Sequence, residues 1–270
     1  MAPISTDQSR PTRPISKFPK PLLRLEIRDL SHPAAHVFVT QLDISKVLEQ
    51  TVRDVLNRLY TADSKIPHVR SVTLVLRPMD GVAYTTGLEI DDQHKEIHFS
   101  LDYINNVDRA RQREEICGVL CHEMVHCWQN DACGTSPGGL TEGVADWVRL
   151  RCGLSPPHWK RESDGDWDAG YQHTGYFLDY LEERFGEGTV RSINEELREV
   201  RYEEERFWKG LFKCSVETLW SEYGESLKEV GGEKNGAKEG NERNRDDSPK
   251  MVDGFGDPNM KMEIRKKEDQ

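Results

Sequence analysis

The chain has 270 residues, 36% of them hydrophobic and 31% charged, with a formal net charge of −11. That acidity argues against nucleic acid and anionic membrane surfaces as partners, since both need a basic face, and no apolar run approaches the roughly 18 residues of a membrane span. The expected fold class is α+β: an N-terminal mixed or antiparallel sheet packed on one long helix, followed by a helical C-terminal part.

Residues 1–19 are rich in proline, with Ser, Thr and Arg between, and read as a disordered segment. They hold no apolar stretch of signal-peptide length, which predicts an intracellular protein. Residues 22–28 and 36–40 read as short strands, with Leu23, Leu25 and Ile27 alternating against charged neighbours. Residues 44–60 form the clearest amphipathic helix: Ile44, Val47, Leu48, Val52, Val55, Leu56 and Leu59 recur at helical spacing behind an Asp43 N-cap. Ser71–Arg77, Val82–Thr86 and Glu96–Leu101 then read as strands of an antiparallel meander, with Asp80-Gly81 and Asp91-Asp92-Gln93 as turns. A helix is expected over 108–130, capped by Asp108, then a Gly-rich loop at 134–139 and a second helix over 140–152. Helices at about 169–186, 188–198 and 202–228 close a folded domain spanning 20–228. The segment 229–270 is Gly-, Lys-, Glu- and Asn-rich and reads as a disordered charged tail. Cys117, Cys121, Cys127, Cys133, Cys152 and Cys214 contain no Cys-x-x-Cys knuckle and read as packing residues; a Cys127–Cys133 or Cys133–Cys152 bridge would need an oxidising compartment.

The chemistry concentrates in His122-Glu123-Met124-Val125-His126. Histidines four apart lie on one helix face, one turn above the other. That spacing lets two imidazoles reach a single Zn²⁺, and the intervening glutamate can act on a water at the metal. A catalytic zinc uses three protein ligands and leaves a place for water. Glu142 is the best third ligand, because the Gly-rich loop lets the second helix fold back on the first. Asp146, one turn beyond, is placed to accept the outer ring N–H of His122. The predicted function is a zinc peptidase, with one Zn²⁺ per chain and Glu123 as general base on a peptide or protein substrate. The second electrophile for the developing oxyanion is sought in Tyr171 or His173. The strand carrying Ile97, His98 and Phe99 could pair with an extended substrate, or could equally be a fully paired interior strand. Trp128 and Trp147 read as core, while Trp159 and Trp167 could wall a cleft. Two rival readings stand beside this one: a zinc-bound binding or defence protein with little turnover, and a hydrolase of non-peptide amides. The presence of Glu123 favours an enzyme, because a purely structural metal site has no use for it.

His122 to Gln129, the run Pro137-Gly138-Gly139-Leu140-Thr141-Glu142-Gly143-Val144-Ala145-Asp146-Trp147, then Pro157-His158-Trp159, Trp167-Asp168-Ala169-Gly170-Tyr171 and Phe177-Leu178-Asp179-Tyr180 together resemble the plant basic secretory protein family, the peptidases of plants and bacteria. The similarity is strong over about 117–186 and weaker over roughly 20–225. It implies a zincin-like domain of the Glu-zincin type and an endopeptidase, with His122, His126 and Glu142 as ligands and Glu123 catalytic. The family's plant members are basic and secreted, whereas this chain is acidic.

Overall fold

The computed structural model describes residues 18–235; the expectations for 1–17 and 236–270 lie outside them. The elements are β1 (Leu22–Ile27), α1 (Pro33–Gln41), α2 (Ile44–Leu59), β2 (Ser71–Arg77), β3 (Ala83–Gly87), β4 (His94–Ser100), α3 (Leu101–Asn106), α4 (Gln112–His126), α5 (Gly138–Arg151), α6 (Tyr171–Phe185), α7 (Thr189–Glu196), α8 (Glu204–Phe212) and α9 (Val216–Asn235). Among the described residues the strands form one mixed sheet in the order β1-β2-β4-β3.

The expected strand at 36–40 is part of helix α1. Val37-Phe38-Val39 reads as β-forming. The local chain decides otherwise: Pro33 sits in the first turn, where its missing N–H costs nothing, and the His32 ring accepts from the Ala34 N–H. The helix then buries Ala34, Ala35 and Phe38, the last edge-to-face against Phe99 at 6.0 Å between ring centres.

The meander is also corrected. β1 and β2 run parallel, joined through α1 and α2, and β2 and β4 are parallel as well. The Asp80-Gly81 turn therefore does not pair β2 with β3. It carries the chain past β4, and β3 pairs antiparallel with β4 alone, Tyr84 opposite His98 and Thr85 opposite Ile97. β4 is thus an interior strand, paired on both sides, the second of the two alternatives for Ile97, His98 and Phe99. All three are buried, and the edge strand beside β4 is β3.

Helix α2 forms as expected, Asp43 accepting from the Lys46 N–H at 3.3 Å. Its apolar stripe of Leu48, Val52, Val55, Leu56 and Leu59 is buried against the sheet and α4. The helix expected over 108–130 is shorter than that. Residues 101–106 form their own helix, Asp108 accepts from the Ala110 N–H, and α4 begins at Gln112 behind Arg111 with no side-chain cap. Almost every residue of α4 from Ile116 to Val125 is buried, so its polar side chains must find partners inside the protein. The expected helix over 202–228 is two helices, broken where Lys213 takes a left-handed conformation at φ 65°. All six cysteines are free thiols, and no described helix is long and apolar enough to cross a membrane.

Candidate metal centre

Two antiparallel neighbours, α4 and α5, build the centre. His122 and His126 project from one face of α4, Glu142 and Asp146 from the facing stripe of α5, each pair four residues apart. Close approach around the start of α5 depends on glycine. A Cβ on Gly139 would lie 1.7 Å from the Asp168 carbonyl oxygen, and one on Gly170 would lie 3.4 Å from Gly139 Cα. Gly170 also needs its φ of 91°, which an L side chain rarely adopts. These contacts seat the 168–170 turn on α5, and that turn delivers Tyr171 beside the centre.

His122 Nε2 lies 3.0 Å from Glu142 Oε2 and 3.2 Å from His126 Nε2, and His126 Nε2 lies 3.7 Å from the same carboxylate oxygen. Ligand atoms held about 2.0–2.1 Å from one ion at tetrahedral angles lie about 3.3–3.4 Å apart. The three measured edges bracket that value, and two imidazoles with a carboxylate are a donor set for a borderline metal. The residues present therefore fit a divalent ion, and among the described residues these three form the cluster able to hold one.

Each histidine is also held from behind. The Nδ1–H of His122 donates to Asp146 Oδ1 at 2.7 Å, a buried charge-assisted bond that fixes the tautomer and turns Nε2 toward the ligand position. The matching partner of His126 is Gln129, which sequence reasoning missed. Its amide lies 2.8 Å from Nδ1, and its Oε1 is buried without a partner. Exchanging the amide's oxygen and nitrogen puts Oε1 on the Nδ1–H, the acceptor that a His126 binding through Nε2 needs. Gln129 lies just beyond the end of α4, three residues after His126, and that short spacing was a usable signal.

The electrostatics separate the two imidazoles. Burial opposes a charge on His122, but Asp146 and Glu142 outweigh it and raise its pKa to about 10. His126 is pushed down to about 4 by burial and by the neighbouring His122 charge. Burial also opposes the charge on Glu142, but the His122 hydrogen bond and both histidine charges hold its carboxyl below the usual range. Without metal, one proton on His122 Nε2 thus fills the gap between the ring and Glu142.

Glu123 is 1% exposed. Burial drives its pKa up to about 7, against the pull of the His122 charge and of the Thr85 hydroxyl. Among the described residues its Oε1 has no hydrogen-bond partner.

Tyr171 lies nearly parallel to the His122 ring, at 15° and 6.2 Å between centres, and is 38% exposed. Burial and the three site carboxylates raise its pKa to about 12, so the phenol keeps its proton at neutral pH. Its φ of 47° is left-handed, a strained position for a non-glycine residue. His173 packs on Trp220 at 4.9 Å and faces Glu162, Asp164 and Asp166. Neither candidate cleft tryptophan stands free. Trp167 packs in the core against Trp208, and Trp159 packs edge-to-face on Tyr176 under the Arg149 guanidinium.

No curated protein and no solved structure matches the chain significantly. The family model described as peptidase of plants and bacteria matches residues 20–223, which takes in both helices of the centre and every strand of the sheet. The chain belongs to that family, the peptidases of plants and bacteria.

Proposed function

We propose that the protein is a zinc-dependent endopeptidase with a zincin-like domain, in which His122, His126 and Glu142 hold the ion and Glu123 is the general base. The single observation that carries this reading is the triangle of His122 Nε2, His126 Nε2 and Glu142 Oε2 with edges of 3.0, 3.2 and 3.7 Å, with the unpartnered Glu123 Oε1 borne on the same helix. When bound, the ion supplies Lewis acidity, lowering the pKa of a water and polarising the scissile carbonyl.

Everything else falls to the chain. Glu123 Oε1 takes the proton from the attacking water and passes it to the departing amine; its raised pKa suits both transfers near neutral pH. The Tyr171 phenol, protonated and stacked beside the ligand His122, donates to the oxyanion as it forms. Asp146 keeps the His122 ring in its binding orientation. An extended substrate adds to the outer edge of β3, next to Glu123, rather than to β4.

The test is Glu123→Gln, a replacement of nearly equal shape that cannot take the proton. Loaded with zinc, it should retain one ion per chain and lose casein and peptide hydrolysis by at least about a hundredfold. Hydrolysis at the wild-type rate would remove Glu123 from the mechanism. In parallel, His126→Ala should lose the ion.

A further inference from the structure

Glu123 has one side-chain hydrogen bond among the described residues, and it comes from the sheet: the Thr85 hydroxyl lies 2.7 Å from Glu123 Oε2. The same hydroxyl lies 2.9 Å from the Glu123 backbone oxygen. Thr85 belongs to no metal-binding motif. It sits on the edge strand β3, opposite the fully buried Ile97, so the alternation of the strand turns it toward α4. Its neighbour Tyr84 takes the other face, stacked on His98 at 4.6 Å.

We propose that Thr85 is the positioning residue for the general base. Its hydroxyl holds Oε2, fixes the carboxylate plane and leaves Oε1 free for the water. This rests on the peptidase reading above.

Three features support the assignment. A threonine hydroxyl has one proton to give, and a bond to a carboxylate is shorter and stronger than one to a neutral carbonyl. The two distances are ordered that way. The β-branched side chain has a stiff χ1, so the hydroxyl's place is set by the strand backbone. Finally, the carboxylate is buried and otherwise unanchored, so without Thr85 both oxygens would lack a partner. Because β3 is also the strand a substrate would extend, docking and base orientation share one element.

A purely structural role is the competing explanation. Near the end of α4 the Cys127 N–H turns to the Met124 oxygen, leaving the Glu123 carbonyl for another donor. Thr85 could serve only as that cap. Steady-state peptide hydrolysis by zinc-loaded Thr85→Val and Thr85→Ser, with zinc content measured alongside, separates the two.

A positioning role predicts that Thr85→Val loses about ten- to a hundredfold in kcat, the worth of one hydrogen bond to a charged group, with KM and zinc content unchanged. Thr85→Ser, which restores the hydroxyl, should recover most of the loss. A melting-temperature cycle of Thr85→Val, Glu123→Ala and the double variant on metal-free protein reads the same contact without activity. The double variant should lose clearly less than the sum of the singles. If Thr85→Val does not fold, Thr85→Ala replaces it in both experiments.

Wild-type kcat in Thr85→Val alongside an inactive Glu123→Gln overturns the Thr85 assignment and leaves the peptidase reading standing. Loss of zinc, an effect on KM alone, failure of the serine to rescue, or an additive melting cycle overturns it too. An active Glu123→Gln instead overturns the general-base assignment itself.

Discussion

Replacing Asp146 with asparagine should change how metal affinity depends on pH more than it changes affinity at any one pH. In the metal-free protein His122 carries a proton up to about pH 10. An incoming ion must displace it, so wild-type affinity should rise about tenfold per pH unit from neutrality toward that value. At pH 7, three units below, the competing proton weakens binding by roughly a thousandfold. Asp146, 2.7 Å from Nδ1, is the largest of the influences that raise His122. A neighbouring opposite charge typically moves a pKa by about 1–3 units, so Asp146→Asn should bend the affinity profile between about pH 7 and 9. Removal of an outer-sphere carboxylate also weakens the ligand by about 10–100-fold. At pH 7 the two effects oppose each other and the net change is small; at pH 9 the variant binds clearly more weakly. The assay is competition with a chelating indicator from pH 6.5 to 9, corrected for the indicator's own protonation. A profile parallel to wild type across the whole range would refute the claim that Asp146 governs the His122 proton. The same raised pKa has a stability sign. The contribution of His122 to the metal-free fold is fully present below its unfolded value near 6.5 and is lost as pH rises through about 10.

The other expectations are steric and chemical. Gly139→Ala places a methyl 1.7 Å from a backbone oxygen that no side-chain rotation can move aside. It should cost about 1–3 kcal/mol in chemical denaturation and weaken metal binding, because the 168–170 turn must leave α5. Wild-type stability would mean that this contact is not tight. Tyr171→Phe should keep the ion and lower kcat by about 10²–10³, the usual worth of one oxyanion donor; unchanged kcat would return the ring to packing alone. Leu56→Ala, at a site with no exposed surface, should lower unfolding free energy by about 2–5 kcal/mol while leaving zinc stoichiometry intact. A smaller loss would show that α2 is not anchored there.

What could be read from the sequence was what is local. The His122–His126 and Glu142–Asp146 spacings are helix periodicities, and the glycines between them announced the fold-back that unites them. Asp43 and the stripe of α2 were equally plain. The errors arose where distant partners decide. Val37-Phe38-Val39 looked like a strand because β-propensity records a wish for burial, which α1 satisfies as a helix against Phe99. The sheet order was invisible because Asp80-Gly81 marks a turn without saying which strand lies beyond it. Thr85 and Gln129 went unnoticed for different reasons: one reaches the site across the sheet, and the other looks like any helix-surface amide until its ring partner is seen.

Every ligand atom in the trio is supplied between His122 and Glu142, by two helices consecutive in the chain. An ion seated there closes a short circuit of backbone. It fastens one hairpin of helices and leaves the ends of the protein unlinked, so its withdrawal should be felt as a loosening between α4 and α5 while the strands and α9 keep their amide protection. A metal in such a layout would act as a local rivet, and the protein should empty and refill without being refolded.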